Sequence, residues 1–253
     1  MIIRLAHNGI NYTADLSAGT DISLPLLPDQ PGVNCFYAPT FDAQPVVMGN
    51  FVGSTKQGGA VNFKNVKINP HGNGTHTECV GHISVEDVSI NDTLQQFHFI
   101  AELISVFPQK SENGDRVITE DILRTVFTNE TKCEALVIRT LPNDDVKKTF
   151  HYSGTNPPYL SADAISYLVN SCNIRHLLVD LPSVDREEDG GKLAGHKSFW
   201  KYPEMLDLNK TITELVYIDN TTKDGLYLLN LQIASFGIDA SPGKPVLYKL
   251  YKE

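Results

Sequence analysis

Apolar and polar residues alternate with different periods along this chain, and the changes of period mark its elements. Residues 96–107, QFHFIAELISVF, form an apolar run that predicts a buried strand with its flanks. EALVIRT (Glu134–Thr140) and HLLVDL (His176–Leu181) predict two more buried strands. Between them Ser161 precedes ADAISYLVN, where Ala164, Ile165, Leu168 and Val169 recur at helical spacing, so Ser161 is read as an N-cap. Strand, helix and strand in this order predict a βαβ unit with a parallel pair. Asp180 then falls at the carboxyl end of its strand, where α/β sheets gather their sites. Thr119 followed by EDILRTVF, with two acids in the first turn, predicts a short helix.

The flanking regions are less regular. Residues 1–70 are rich in Gly, Pro, Asn and β-branched residues, with short alternating runs such as Ile10–Leu16, and predict strands and loops. SVDREEDGGKLAGHKSFW, after the second core strand, is read as a polar loop. The tail ELVYIDNTTKDGLYLLNLQIASF alternates and predicts a hairpin turning at Lys223-Asp224-Gly225. With no internal repeat and no low-complexity linker, one mixed α/β domain over residues 1–253 is expected.

Composition narrows the function classes. Hydrophobic residues make up 41% and charged residues 20%, the balance of a globular protein. The net charge of −9, without any Lys/Arg run, argues against a nucleic-acid partner. No stretch reaches the roughly 20 apolar residues that span a bilayer. Polar residues interrupt the N-terminal run too early for an export signal, so a cytoplasmic chain with free thiols at Cys35, Cys79, Cys133 and Cys172 is expected.

The chemistry concentrates in NPHGNGTHTECVGHI, residues 69–83. His71, His76 and His82 lie there with Glu78 and Cys79 between them. His76, Glu78 and His82 share parity, so an extended segment would project all three from one face. His71 has the wrong parity, but Pro70, Gly72 and Gly74 allow the backbone to turn and re-aim it. Imidazoles with a carboxylate suit Zn, Mn or Fe. Solvated loop histidines, or Cys79 as a nucleophile beside His76 or His82, are the other readings of the same residues. Cys79 points away by parity and reads more simply as a small buried residue.

GTHTECVGH resembles the signature of the metal-dependent cyclase family, which includes bacterial kynurenine formamidases and isatin hydrolases. That signature runs His-x-Gly-Thr-His-x-Asp-x-Pro-x-His. Gly74, Thr75, His76 and His82 match in place. Glu78 stands at the family's Asp, Val80 at its Pro, and Gly72 at its first His, with His71 one residue earlier. DLPSVD (residues 180–185), His196 in AGHKSFW, Glu214 in ITELVYIDN and the DGLYLLNLQIASFGIDASPGKPVLY tail resemble later family segments, with an insertion expected around Tyr202–Asn209.

The resemblance implies a swivelling β/β/α-type single domain with a mixed sheet and flanking helices. It implies one or two divalent ions, Zn or Mn. His71, His76 and Glu78 would hold the first, and Glu78, His196 and Glu214 the second, with His82 as general acid/base. A small linear or cyclic amide would be the substrate, hydrolysed as by an arylformamidase, in a homodimer or higher homo-oligomer. Phe199 and Trp200, which follow His196, are candidates for an aromatic substrate wall; core packing is their other reading. The alternative function is a catalytically inactive metal-binding or assembly protein of the same fold, favoured by the displaced histidine and Val80.

Overall fold

A computed structural model describes residues 1–253. Its centre is a closed ring of seven strands: β1 (His76–Glu78), β2 (His98–Val106), β3 (Ala135–Thr140), β4 (His176–Val179), β5 (Thr211–Glu214), β6 (Gly225–Ile233) and β7 (Ala240–Lys249). Neighbours around the ring run β6, β2, β3, β4, β5, β1, β7, and β7 pairs back with β6. The β2–β3, β3–β4 and β4–β5 pairs are parallel, and the other four are antiparallel. The expected βαβ unit is there, with Ala135 opposite His176 in the parallel register. Closure leaves none of these seven strands with an open edge.

Period-2 alternation sorts the two faces of the wall. Phe99, Ala101, Leu103, Ala135, Val137, Leu178, Leu229 and Leu247 pack inside the ring. Leu136, Ile138, Leu177, Val179 and Ile212 point outward and are covered by helices. A one-turn helix, α1 (Pro70–Asn73), precedes β1; the covering helices are α2 (Glu120–Val126), capped by the Thr119 hydroxyl, and α3 (Ala162–Asn170), capped by Ser161 accepting from the Ala164 N–H. α4 (Ala194–Trp200) lies beside α3. These two-sided strands read in the sequence as continuous apolar runs because both faces are buried. No helix is long and apolar enough to cross a membrane.

Two expectations need correction. The tail is not a hairpin at Lys223-Asp224-Gly225. β5 pairs with β4 and β1, while β6 pairs with β2 and β7, so the hairpin is β6–β7, turning within residues 234–239. Leu215 and Val216 instead bond to the carbonyls of Leu181 and Val179, extending the β4 side of the wall. The stretch read as a polar loop after Ser183 contains α4, whose amphipathic run AGHKSFW buries Phe199 and Trp200.

His176 sits inside the ring with its ring centroid 3.9 Å from that of Phe99 and its Nδ1 2.9 Å from the Thr211 hydroxyl. Burial, with the Arg175 charge beside it, pushes this imidazole down to about 3. An unfolded histidine titrates near 6.5. Below that pH the unfolded chain binds a proton that the folded chain refuses, so the residue's contribution is complete above about pH 6.5 and declines as pH falls toward 3. The stability advantage of the parent protein over His176→Gln should therefore shrink by about 2 kcal/mol between pH 7 and pH 5. Urea denaturation of both proteins at the two pH values measures it, and a pH-independent difference would refute it.

Candidate metal centre

The cross-strand register builds the floor of the site. His76 on β1 lies directly opposite Glu214 on β5, and Glu78 opposite Ile212. All four face the helix-covered side of the wall, and His76, Glu78 and Glu214 are at most 3% exposed. The shared parity of His76 and Glu78 thus places them together, as expected. His82 arrives differently: β1 ends at Glu78, and a 3-10 turn over Val80–His82 swings it back over Glu78, with its Nε2 3.9 Å from Glu78 Oε2. That turn runs tight against Val88, whose carbonyl would lie 2.1 Å from a Cβ on Gly81.

His71 is delivered by the one-turn helix Pro70–Asn73. Asn69 caps it by accepting from the Gly72 N–H, and Pro70 opens it. His71 Nδ1 reaches 3.2 Å from Glu78 Oε2, close enough for an ion pair but not aligned as a hydrogen bond. Position 72, where the family signature has its first histidine, has no room for a side chain. A Cβ there would lie 2.2 Å from Ala38 Cβ and 3.1 Å from the Cys35 carbonyl.

α4 supplies the remaining imidazole. Asp185 accepts from the Gly195 N–H at 2.6 Å and the His196 N–H at 3.1 Å, fixing the helix start, and from His196 Nδ1 at 2.6 Å. His196 Nε2 then points to Glu78 Oε1 at 3.1 Å. The Val184 N–H donates to Glu214 Oε1 at 2.9 Å, so the DLPSVD segment steadies two members of the cluster.

A common pattern runs through three of the imidazoles. The outer nitrogen of each meets an oxygen that accepts: His76 Nδ1 the Gly74 carbonyl at 3.0 Å, His196 Nδ1 Asp185, and His71 Nε2 Asp239 at 2.8 Å. The outer nitrogens therefore carry protons, and the inner nitrogens converge on the Glu78 and Glu214 carboxylates. His76 Nε2 stands 3.4 Å from Glu214 Oε2, lone pair toward lone pair, and neither it nor Glu78 Oε2 has a hydrogen-bond partner. Buried acceptors facing one another are stable only with a cation or protons among them. The ligand atoms of His71, His76 and Glu78, and those of Glu78, His82 and His196, lie within 4.8 Å of one another. The donor set therefore fits a divalent ion.

Without such an ion, protons neutralise the cluster. Burial alone would lower His71, but Asp239 and Glu78 outweigh it and lift it to about 10. His196 is likewise raised against its burial by Asp185 and Glu78. Burial would raise Glu78, yet His82, His196 and His71 hold it well below the usual carboxylate range.

Asp239 was not among the expected site residues. It lies just before β7, its carbonyl accepting from the Cys79 N–H, and its Oδ2 meets both His71 Nε2 and His82 Nδ1, the latter at 3.3 Å. Nothing local in FGIDASP marks it, because its partners lie more than 150 residues away and meet it only through the β1–β7 pairing. One other expectation is corrected. Phe199 and Trp200 are fully buried, with Trp200 Nε1 donating to the Lys210 carbonyl, so they form no substrate wall. The aromatic at the mouth is Phe36, 41% exposed and held at φ +57°, on the rim of a cavity of about 330 Å³ reached by His71, His82, His196 and Glu214. Cys79 is fully buried, its thiol raised by that burial and directed to the Val88 carbonyl, so it offers no nucleophile here.

The ring and cluster define an α/β barrel protein with a histidine–carboxylate site on its outer wall. The chain belongs to the Cyclase family, whose model matches residues 15–186. That match covers His71 to Asp185 and ends before His196, Glu214 and Asp239, which the fold brings to the same place. No curated protein matches the sequence. Among solved structures, isatin hydrolase A from Labrenzia aggregata bound to benzyl benzoate is similar with a TM-score of 0.64 at 16% identity, covering 91% of this chain and 93% of that one. Isatin hydrolase A from Ralstonia solanacearum gives 0.61 at 16%, covering 91% of each chain. A potential metal-dependent hydrolase with cyclase activity gives 0.63 at 15%, covering 91% and 96%. At these identities the likeness establishes the shared fold.

Because position 72 is closed by Ala38 and Cys35, Gly72→Ala should destabilise the protein by about 1–3 kcal/mol through overpacking. Denaturant unfolding reads this directly, and an unchanged midpoint would show that position 72 has room for a side chain.

Proposed function

We propose that the chain is a metal-dependent hydrolase of a small linear or cyclic amide, arylformamidase-like in its chemistry. The observation that supports this most is the anchoring of three imidazoles by their outer nitrogens, which leaves the inner nitrogens and two buried carboxylates converging on one point. His71, His76 and Glu78 would hold one divalent ion, and Glu78, His196 and Glu214 a second, with Zn and Mn both suited to the set. Such an ion, when bound, supplies Lewis acidity and lowers the pKa of its water toward neutrality.

The chain's own groups do the rest. His82 is 30% exposed by its side chain and faces the cavity, with its Nδ1 toward Asp239. Its Nε2 is thus the atom that takes a proton from the attacking water and returns it to the leaving nitrogen. Asp239 orients His82 and His71 together, and Asp185 holds His196 in one tautomer. The 330 Å³ cavity matches a small substrate, and Phe36 is the ring against which an aryl group would rest. Isatin hydrolases of the same fold, named for a cyclic amide, favour the same reaction class. A homodimer in the cytoplasm fits this reading: the arm of residues 42–67 carries Val47, Met48, Val61, Phe63 and Val66, each more than half exposed.

Purified protein should carry one or two equivalents of Zn or Mn by plasma mass spectrometry. His76→Ala and Glu78→Ala should lose both metal and activity toward N-formyl anilines or cyclic amides. Stoichiometric metal in either variant would remove that residue from the ligand set, and a parent protein that takes up no metal on reconstitution would end the hydrolase reading. His82→Ala should retain metal while kcat falls roughly 10²–10⁴-fold; near-parental turnover would take His82 out of the mechanism.

A further inference from the structure

A second cavity, of about 370 Å³, opens at the carboxyl ends of β2, β3 and β4, where α/β sheets commonly receive ligands. It shares no residue with the cavity beside His82. Phe107, Leu141, Val146 and Phe150 give it apolar walls, and four charged residues, Arg116, Asp144, Lys147 and Asp180, also line it. Three of the four are already engaged. Lys147 Nζ meets Asp180 Oδ2 at 2.9 Å, the Thr140 carbonyl at 2.7 Å and the Thr140 hydroxyl at 2.9 Å. The three hydrogens of that ammonium are thereby committed, and its charge cancels that of the fully covered Asp180 side chain. Asp144 stands in solvent and caps the 3-10 turn Asp145–Lys148, accepting from the Val146 N–H at 3.0 Å.

Arg116 is the exception. It is exposed at the rim, has no carboxylate partner, and its side chain makes one long hydrogen bond, to the Asn156 carbonyl at 3.4 Å. Tyr152, only 7% exposed, also lines the cavity. Its hydroxyl meets no acceptor in the protein, yet it is not sealed off. The side-chain atoms that are both enclosed and unpartnered are His76 Nε2, Glu78 Oε2 and Asp180 Oδ1. Burial first, and the Asp180 charge second, push the Tyr152 phenol up, so it stays protonated and is a donor, while the Arg116 charge acts on the same group in the opposite sense. A phenol without an acceptor and an unpaired guanidinium, at one largely apolar cavity, lack the same thing: a negatively charged acceptor.

We infer that this cavity is a second small-molecule site, for a carboxylate carried on a single aromatic ring. The ring lies against the apolar walls, and the carboxylate accepts from the Tyr152 hydroxyl and the Arg116 guanidinium. An amine of the same shape would set its charge beside Arg116 and leave the Tyr152 hydroxyl unserved.

Ligand-observed NMR with benzoate and benzylamine, up to millimolar concentration, tests this on the full chain. Benzoate should bind and benzylamine should not. Arg116→Gln and Tyr152→Phe should each weaken benzoate about tenfold, the loss that follows removal of one hydrogen bond to a charged group. The first change is at an exposed position and the second keeps the ring, so both variants should fold. Neither residue belongs to the His71–Glu214 cluster, so benzoate held on a metal there would bind both variants as it binds the parent. Failure of benzoate to bind would overturn the inference. So would benzylamine binding as tightly as benzoate, or benzoate binding undiminished in either variant.

Discussion

The arrangement depends on one electrostatic constraint: two carboxylates, Glu78 and Glu214, are buried side by side on the wall of a closed barrel. Neither can be left alone there, because desolvating an unpaired carboxylate costs several kcal/mol. The structure answers by turning imidazoles toward them and tying the far side of three rings to fixed acceptors. Each anchor belongs to a different part of the fold: a backbone carbonyl beside β1, the aspartate that starts α4, and an aspartate just before β7. Ring closure is what makes these parts meet. β1 is only three residues long, yet it sits between β5 and β7 and so places His76 and Glu78 beside Glu214 on one flank and near Asp239 on the other.

One segment, residues 180–185, is committed to buried charge at both of its ends. DLPSVD leaves β4 with Asp180 turned toward Lys147 and ends with Asp185 holding His196. Between them, Leu181 accepts from Leu215, the residue after Glu214, and Val184 donates to Glu214 itself. A short stretch with both ends committed to buried charge has little freedom to shift. It follows that the placement of His196 and Glu214 is set by the sheet more than by the loop that carries the histidine.

What could be read from the chain follows from which forces are local. Caps at Thr119 and Ser161, the βαβ unit and the pairing of His76 with Glu78 depend on residues within a few positions of one another, and the sequence shows them. Strand partnership is not local. Alternation in the tail marked β6 as a strand but could not tell β5 from β7 as its neighbour, so the hairpin was assigned to the wrong turn and the ring closure did not show. α4 was hidden because it follows the acidic, Gly-rich run REEDGG, and its cap, Asp185, lies nine residues before it. Asp239 was hidden for a similar reason, since its partners reach it only across the ring. Phe199 and Trp200 lie three and four residues after His196, which on a helix puts them on the same face; that face is turned inward, with the Trp200 ring centroid 5.6 Å from that of His196 and both aromatic rings fully buried.

The displaced histidine shows how such a site tolerates change in spacing. The signature places its first histidine at the position of Gly72, but Ala38 and the Cys35 carbonyl press against that backbone. A side chain there would have to displace another segment. His71, one residue earlier on the same helical turn, reaches Glu78 with Nδ1 while Asp239 takes its Nε2. Glu78 stands at the position of an aspartate, and its extra methylene carries the carboxylate farther from the β1 backbone toward the rings above it. The two departures from the signature therefore work in concert. One moves an imidazole back along the chain and the other extends the carboxylate it faces. What persists is the convergence of inner nitrogens on a buried carboxylate, which the barrel wall fixes and which the spacing of a motif records only indirectly.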